Sequence, residues 1–94
     1  MGNYRLAPEA KADLERIWFW GLENWGVEAA DVYFAAFFEH FEQLAERPLL
    51  YAATDIREGY RRSVCGSDSV YYRVDGEDVE IMAIIGQQDA SDWL

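Results

Sequence analysis

The chain has little of what most catalytic or nucleic-acid-binding domains are built from. It holds one cysteine, Cys65, in 94 residues. No intrachain disulfide can form from one thiol, which fits a reducing cytosol and excludes a disulfide-stapled secreted module. It holds one histidine, His40. No Ser or Cys stands at a spacing that marks it as a nucleophile's base, so His40 reads as a solvated flank residue of a helix. One His and one Cys far apart do not make a zinc site, the acids match no calcium loop, and no glycine-rich phosphate loop or dinucleotide fingerprint is present. No metal and no cofactor is expected. Lysine is reduced to Lys11, and 8 basic side chains stand against 18 acidic ones, a formal charge of −10. A field of that sign repels phosphate backbones and disfavours broad nucleic-acid binding. The longest apolar run is too short for a membrane span, and no basic segment followed by an apolar one opens the chain as a secretory signal would. A cytoplasmic domain spanning residues 1–94 is the expectation.

Rings, by contrast, are abundant. There are 4 Trp, 6 Tyr and 5 Phe. Trp18, Phe19, Trp20, Trp25, Tyr33, Phe34, Phe37, Phe38 and Phe41 crowd into one stretch. Large rings fill the core of a small domain or bind a partner. The periodicity separates the two uses.

Tyr4-Arg5-Leu6 predicts a strand over 3–6, and Pro8 with Glu9 opens a helix over 8–24. Leu14, Ile17, Trp18, Gly21, Leu22 and Trp25 fall on one stripe of that helix at a 3.6-residue repeat. Gly26 can take a positive φ and stop it. A second helix is predicted from about Glu28 to Arg47, with Ala30, Phe34, Phe37, Phe38, Phe41, Leu44 and Ala45 on one arc and Pro48 ending it. Most rings are therefore core. Phe19 and Trp20 are not: each points more than about 100° from the middle of the first helix's stripe. Either they are simply exposed, or a partner covers them.

Residues 48–59 read as a loop over the core. Tyr60–Val64 and Ser69–Val74 alternate as half-buried strands, joined by turn chemistry at Cys65-Gly66-Ser67-Asp68. Asp75-Gly76 signals a hairpin, and Val79–Ile85 is apolar enough for a strand buried on both faces. Gln87–Leu94 is a short polar tail. The order β-α-α-β-β-β predicts an α+β fold with a helical hairpin packed on an antiparallel sheet. Cys65 is expected as a small, inert residue at a strand end.

The basic side chains are unevenly spread. Arg57, Arg61, Arg62 and Arg73 lie among only two acids, Glu58 and Asp68. If the strands pair, Arg61 and Arg73 could share a sheet face. Three uses are open: salt bridges within the chain, docking of an acidic or polar peptide, and contact with RNA, the last disfavoured by the overall field.

The run Tyr4-Arg5-Leu6-Ala7-Pro8-Glu9-Ala10-Lys11-Ala12-Asp13-Leu14, with Ile17-Trp18 and Trp25-Gly26 beyond it, resembles the start of ParE-type toxins of the RelE/ParE superfamily. Phe41 through Pro48, Gly59-Tyr60-Arg61-Arg62-Ser63, Gly66-Ser67, Tyr72-Arg73-Val74, Val79-Glu80-Ile81 and Ile84 through Asp89 continue the resemblance in order over almost the whole chain. It implies a toxin of a type II toxin–antitoxin module with the fold just derived. It implies a partner, a ParD-like antitoxin: a ribbon-helix-helix DNA-binding dimer whose C-terminal segment wraps the toxin in a hetero-oligomer. Contact with DNA would come only through that antitoxin. The implied antitoxin-binding residues are Trp18, Phe19, Trp20, Phe34 and Phe38 for apolar side chains and Arg57, Arg61, Arg62 and Arg73 for acidic ones. The free toxin is expected to inhibit DNA gyrase without being an enzyme. Two alternatives stand beside this: a RelE-like ribosome-dependent mRNA endonuclease using Arg61 and Arg73, and a non-toxic module that only binds antitoxin.

Overall fold

The structure, a computed structural model, describes residues 2–51, 53–54 and 57–86. The tail expected over Gln87–Leu94 lies outside the described residues. Six elements follow one another: β1 (Tyr4–Leu6), α1 (Pro8–Trp25), α2 (Val27–Glu46), β2 (Tyr60–Cys65), β3 (Asp68–Asp75) and β4 (Asp78–Gly86).

Proline at the first helical position and Glu9 in the first turn start α1, with no side-chain cap at Ala7. The missing proline N–H is one a helix start leaves unpaired anyway. Ala10, Leu14, Ile17 and Gly21 form the buried stripe. One residue separates the helices. Gly26 sits at φ 89°, its N–H donating to Leu22 O at 3.3 Å while its own carbonyl accepts from Ala30 N at 3.1 Å. A left-handed residue is needed there, and only glycine takes it without a Cβ penalty. The helices lie close where Gly21 faces Ala30.

The sheet order is β1-β4-β3-β2. β2, β3 and β4 pair antiparallel through two-residue turns, Gly66-Ser67 and Gly76-Glu77. Both turns place glycine first with φ near 60° and no positive φ at the residue after it, the pattern of a type II′ turn. β1 corrects the expectation of an antiparallel sheet. It runs parallel to β4, pairing Tyr4 with Val79 and Leu6 with Ile81. Hairpin turns impose antiparallel pairing only on strands adjacent in sequence. β1 reaches the sheet through the helical crossover, and β3 already has a neighbour on each side, so β1 takes the free edge of β4.

Both helices pack on one face of the sheet, where Phe37, Phe41, Leu44, Val70, Tyr72, Val79, Ile81 and Ile84 are fully buried. Burying each such side chain is worth roughly 1.5–3 kcal/mol relative to leaving it in water. The Tyr72 hydroxyl leaves this core satisfied, donating to Pro48 O at 2.9 Å. A bulge between Tyr71 and Tyr72 of β3 makes Met82 the extra residue of β4. Side-chain parity therefore flips there. Val79, Ile81 and Ile84 face the helices, while Ala83 and Ile85 join Tyr71 in a second buried cluster. Burial of β4 on both faces follows from this. Among the described residues no helix is long and apolar enough to cross a membrane.

Candidate partner-binding surface

Trp18 and Trp20 are two residues apart on α1, about 200° around a helix, and leave it on different flanks. Each begins a row of rings that crosses to α2. Trp18 packs on Phe34 at 5.3 Å between centroids, Phe34 on Phe38 at 5.1 Å, and Phe38 on Phe41 at 5.8 Å. Trp18, Phe34 and Phe38 are half-buried in this row. On the other flank Trp20 meets Trp25 at 5.0 Å and 86°, Trp25 meets Tyr33 at 5.2 Å and 75°, and Tyr33 meets Phe37 at 5.3 Å and 89°. Edge-to-face packing of this kind matches the ring quadrupoles and holds the row without a covering layer.

The outer members of this row are uncovered, and so is Phe19, the neighbour of Trp20 in sequence. Phe19 is 60% exposed, Trp20 52% and Trp25 47%. The helical wheel found Phe19 and Trp20. It placed Trp25 on the core stripe, and here it misled. Trp25 lies at the last residue of α1, packed against neighbouring rings rather than in the core between helices and sheet.

Trp20, Trp25 and Tyr33 line an open hollow of about 360 Å³ together with Arg16, Ser67 and Asp68. The Tyr33 hydroxyl donates to Asp68 Oδ2 at 2.7 Å and accepts from Ser67 N at 3.1 Å. Burial first, then the Asp68 carboxylate, push the phenol up to about 12, so it stays a neutral donor. Gly66 permits the arrangement. Its φ is 62°, and a Cβ there would stand 2.6 Å from the Tyr33 ring. Arg16 Nη2 donates to Ile84 O at 3.0 Å and lies 3.5 Å from Asp13 Oδ1. Asp13 Oδ2 accepts from Ile84 N at 2.9 Å. Together they clip the β4 backbone to α1. Burial pushes the Asp13 carboxyl up against the opposing pull of the Ile84 N–H and Arg16.

The arginines do not form one floor. Alternation within each strand is as the sequence suggests, but the register pairs Arg61 with Tyr72 and Tyr60 with Arg73. Directly opposed residues share a face, so Arg61 points with Tyr72 to the helix side and Arg73 to the other. The expectation that Arg61 and Arg73 share a face is therefore corrected. Arg61 Nη1 donates to Tyr51 O at 2.5 Å. Arg73 binds Glu80 through Nε at 2.7 Å and Nη2 at 2.6 Å. Arg62 lies on the Arg73 face and donates from Nε to Ser69 Oγ at 3.0 Å. Arg57 is exposed ahead of β2. Arg5 pairs with Asp75 and lies 3.7 Å from Glu80.

His40 also differs from its expectation. It is half-buried, with Nε2 2.7 Å from Ser63 Oγ. The pair spans α2 and β2, 23 residues apart, and no sequence spacing announces it. Ser63 is 2% exposed, which leaves its hydroxyl no room to attack a substrate. Cys65 is buried at the end of β2, and burial pushes its thiol up. Among the described residues no group of three or more His, Cys, Asp or Glu could hold a metal ion.

A family model described as the ParE toxin of the type II toxin–antitoxin system parDE matches residues 4–90. Toxin ParE1 of Caulobacter vibrioides is 42% identical over 88 residues, 93% of this chain and 91% of that one. Toxin ParE1 of Mycobacterium tuberculosis is 36% identical over 88 residues, 92% and 90% of the two chains. A solved chain of the chromosomal ParDE system of P. aeruginosa superposes with a TM-score of 0.78 at 22% identity, covering 92% of this chain and 95% of that one. A chain of the RelBE2 toxin–antitoxin complex of M. tuberculosis follows the same fold with a TM-score of 0.67 at 23% identity, over 92% and 98%. The element order, the helical hairpin on the sheet and the sequence match over nearly the whole chain agree: this protein belongs to the ParE toxin family of type II toxin–antitoxin systems.

Proposed function

We propose that this toxin is held inactive by a ParD-like antitoxin whose C-terminal segment lies across the helical hairpin, and that the free chain inhibits DNA gyrase. The observation that carries the docking surface is the exposure of Phe19 and Trp20, 60% and 52%, beside a half-exposed Trp25. Exposed rings are costly to leave in water and are enriched where partners bind. Trp18, Phe34 and Phe38 extend the apolar surface on the second flank. Arg57 and Arg62 are exposed and offer charge-assisted contacts to acidic residues of the partner. Arg61, Arg62 and Arg73 hold internal partners and would have to exchange or share them.

The gyrase target rests on family membership. An endonuclease has less support. Arg61 and Arg73 face opposite ways, and the half-buried His40 is engaged with Ser63. Neither pair converges on a site for a reacting 2′-hydroxyl.

Expression without the adjacent antitoxin should arrest growth, and purified toxin should block gyrase supercoiling. Unchanged growth removes the toxin reading, and arrest with normal supercoiling moves the target. Trp20→Ala should weaken antitoxin binding by about 2 kcal/mol in calorimetric titration, the loss typical of a buried aromatic anchor.

A further inference from the structure

We infer that the hollow between α1, α2 and the β2–β3 turn is a receptor for a basic side chain, an arginine of the partner polypeptide, stacked on Trp20 and Trp25 and paired with Asp68. The identification of a polypeptide as the source rests on the antitoxin reading; the cation preference does not.

Four observations set the sign of the charge. Two indoles and a phenol of the lining stand edge to face, and Trp20 and Trp25 are each about half exposed. Ring faces are the negative pole of the quadrupole and attract cations. Asp68 supplies a carboxylate to the lining, and Tyr33 already occupies Oδ2 and orients it. A carboxylate has about four lone-pair sites, so one bond from Tyr33 leaves capacity for a guanidinium. Arg16, the cation of the hollow, is committed to Ile84 O and lies beside Asp13, so its charge is offset locally. The whole chain carries −10. A planar guanidinium suits both a ring face and a carboxylate edge better than an ammonium does. An acidic segment would meet Asp68 and the negative ring faces here, and so is directed elsewhere.

The expected contact is testable on the full chain alone. The indole N–H resonances of Trp20 and Trp25 are followed by NMR while isotope-labelled protein is titrated with N-acetyl-arginine methylamide, and in parallel with the glutamine and glutamate analogues. Saturable shifts at both indoles with the arginine probe only are the expected result. Asp68→Asn keeps an acceptor for Tyr33 and should weaken the arginine probe about tenfold, and Trp20→Leu, at an exposed position, should weaken it similarly. No shift with the arginine probe, an equal shift with the glutamine probe, a preference for glutamate, or undiminished binding by Asp68→Asn overturns the inference. Growth arrest and complex formation with antitoxin are read separately, so a failed pocket leaves the antitoxin reading standing. A missing antitoxin leaves the cation site standing.

Discussion

His40 is held between α2 and β2, with Ser63 on Nε2 and the Tyr51 ring 6.0 Å away. Burial disfavours its imidazolium, so the folded chain takes up this proton at lower pH than the unfolded chain, whose histidine titrates near 6.5. The unfolded state gains the proton first as pH falls. The stability this neutral histidine contributes is complete above about pH 6.5 and drains away below it. Urea midpoints should therefore drop between about pH 7.5 and pH 5.5, and His40→Gln should flatten that drop. An unchanged slope in the variant would assign the loss to another group. Asp13 acts with the opposite sign. Its folded carboxyl is raised, so ionisation costs the native state, and relief comes only as pH falls through that raised value toward 3.8. At this scale the helical wheel finds Phe19 and Trp20, because exposure of a ring on a polar face is a local property. It cannot find Tyr33, Asp68 or Ser63 as partners, because α2 and the sheet bring them together.

The elements are legible to within one or two residues, since periodicity and glycine placement are local signals. The observed helices end at Trp25 and Glu46, and β2 to β4 begin and end within a residue or so of the runs that predict them. Register and strand direction are not legible. Whether Arg61 meets Arg73 depends on how the β2–β3 turn sets its pairing, and β1 turns parallel because a crossover, not a hairpin, delivers it. The β2–β3 turn also bears on the candidate site. Gly66→Ala adds a Cβ at φ 62°, 2.6 Å from the Tyr33 ring. Strain at a left-handed position together with the clash should cost about 2 kcal/mol or more in chemical denaturation and push Tyr33 off Asp68. A loss of only a few tenths would mean that the ring yields freely.

Across the whole molecule, a formal charge of −10 coexists with an edge of exposed rings. On the proposed antitoxin reading, the rings would supply contact area and the charge would sort partners at a distance. Association with an antitoxin that brings arginine to the hollow should therefore slow as salt rises, several-fold between low and physiological ionic strength in stopped-flow mixing, as the Debye length contracts to about 8 Å. A flat association rate would leave the rings as the whole of recognition.

The parallel pairing of β1 with β4 joins residues as far apart as Asn3 and Asp78, 75 positions along the chain. Asp13 and Arg16 fasten α1 to the same late strand, at Ile84. β1 thus has no pairing edge until β4 is made. The helical hairpin and the β2–β3 hairpin rest on local contacts, but the hollow shared by Trp20 and Asp68 is complete only with β4, whose Gly86 lines it. A toxin laid out this way completes the hollow only after β4 has been made, however early its hairpins form.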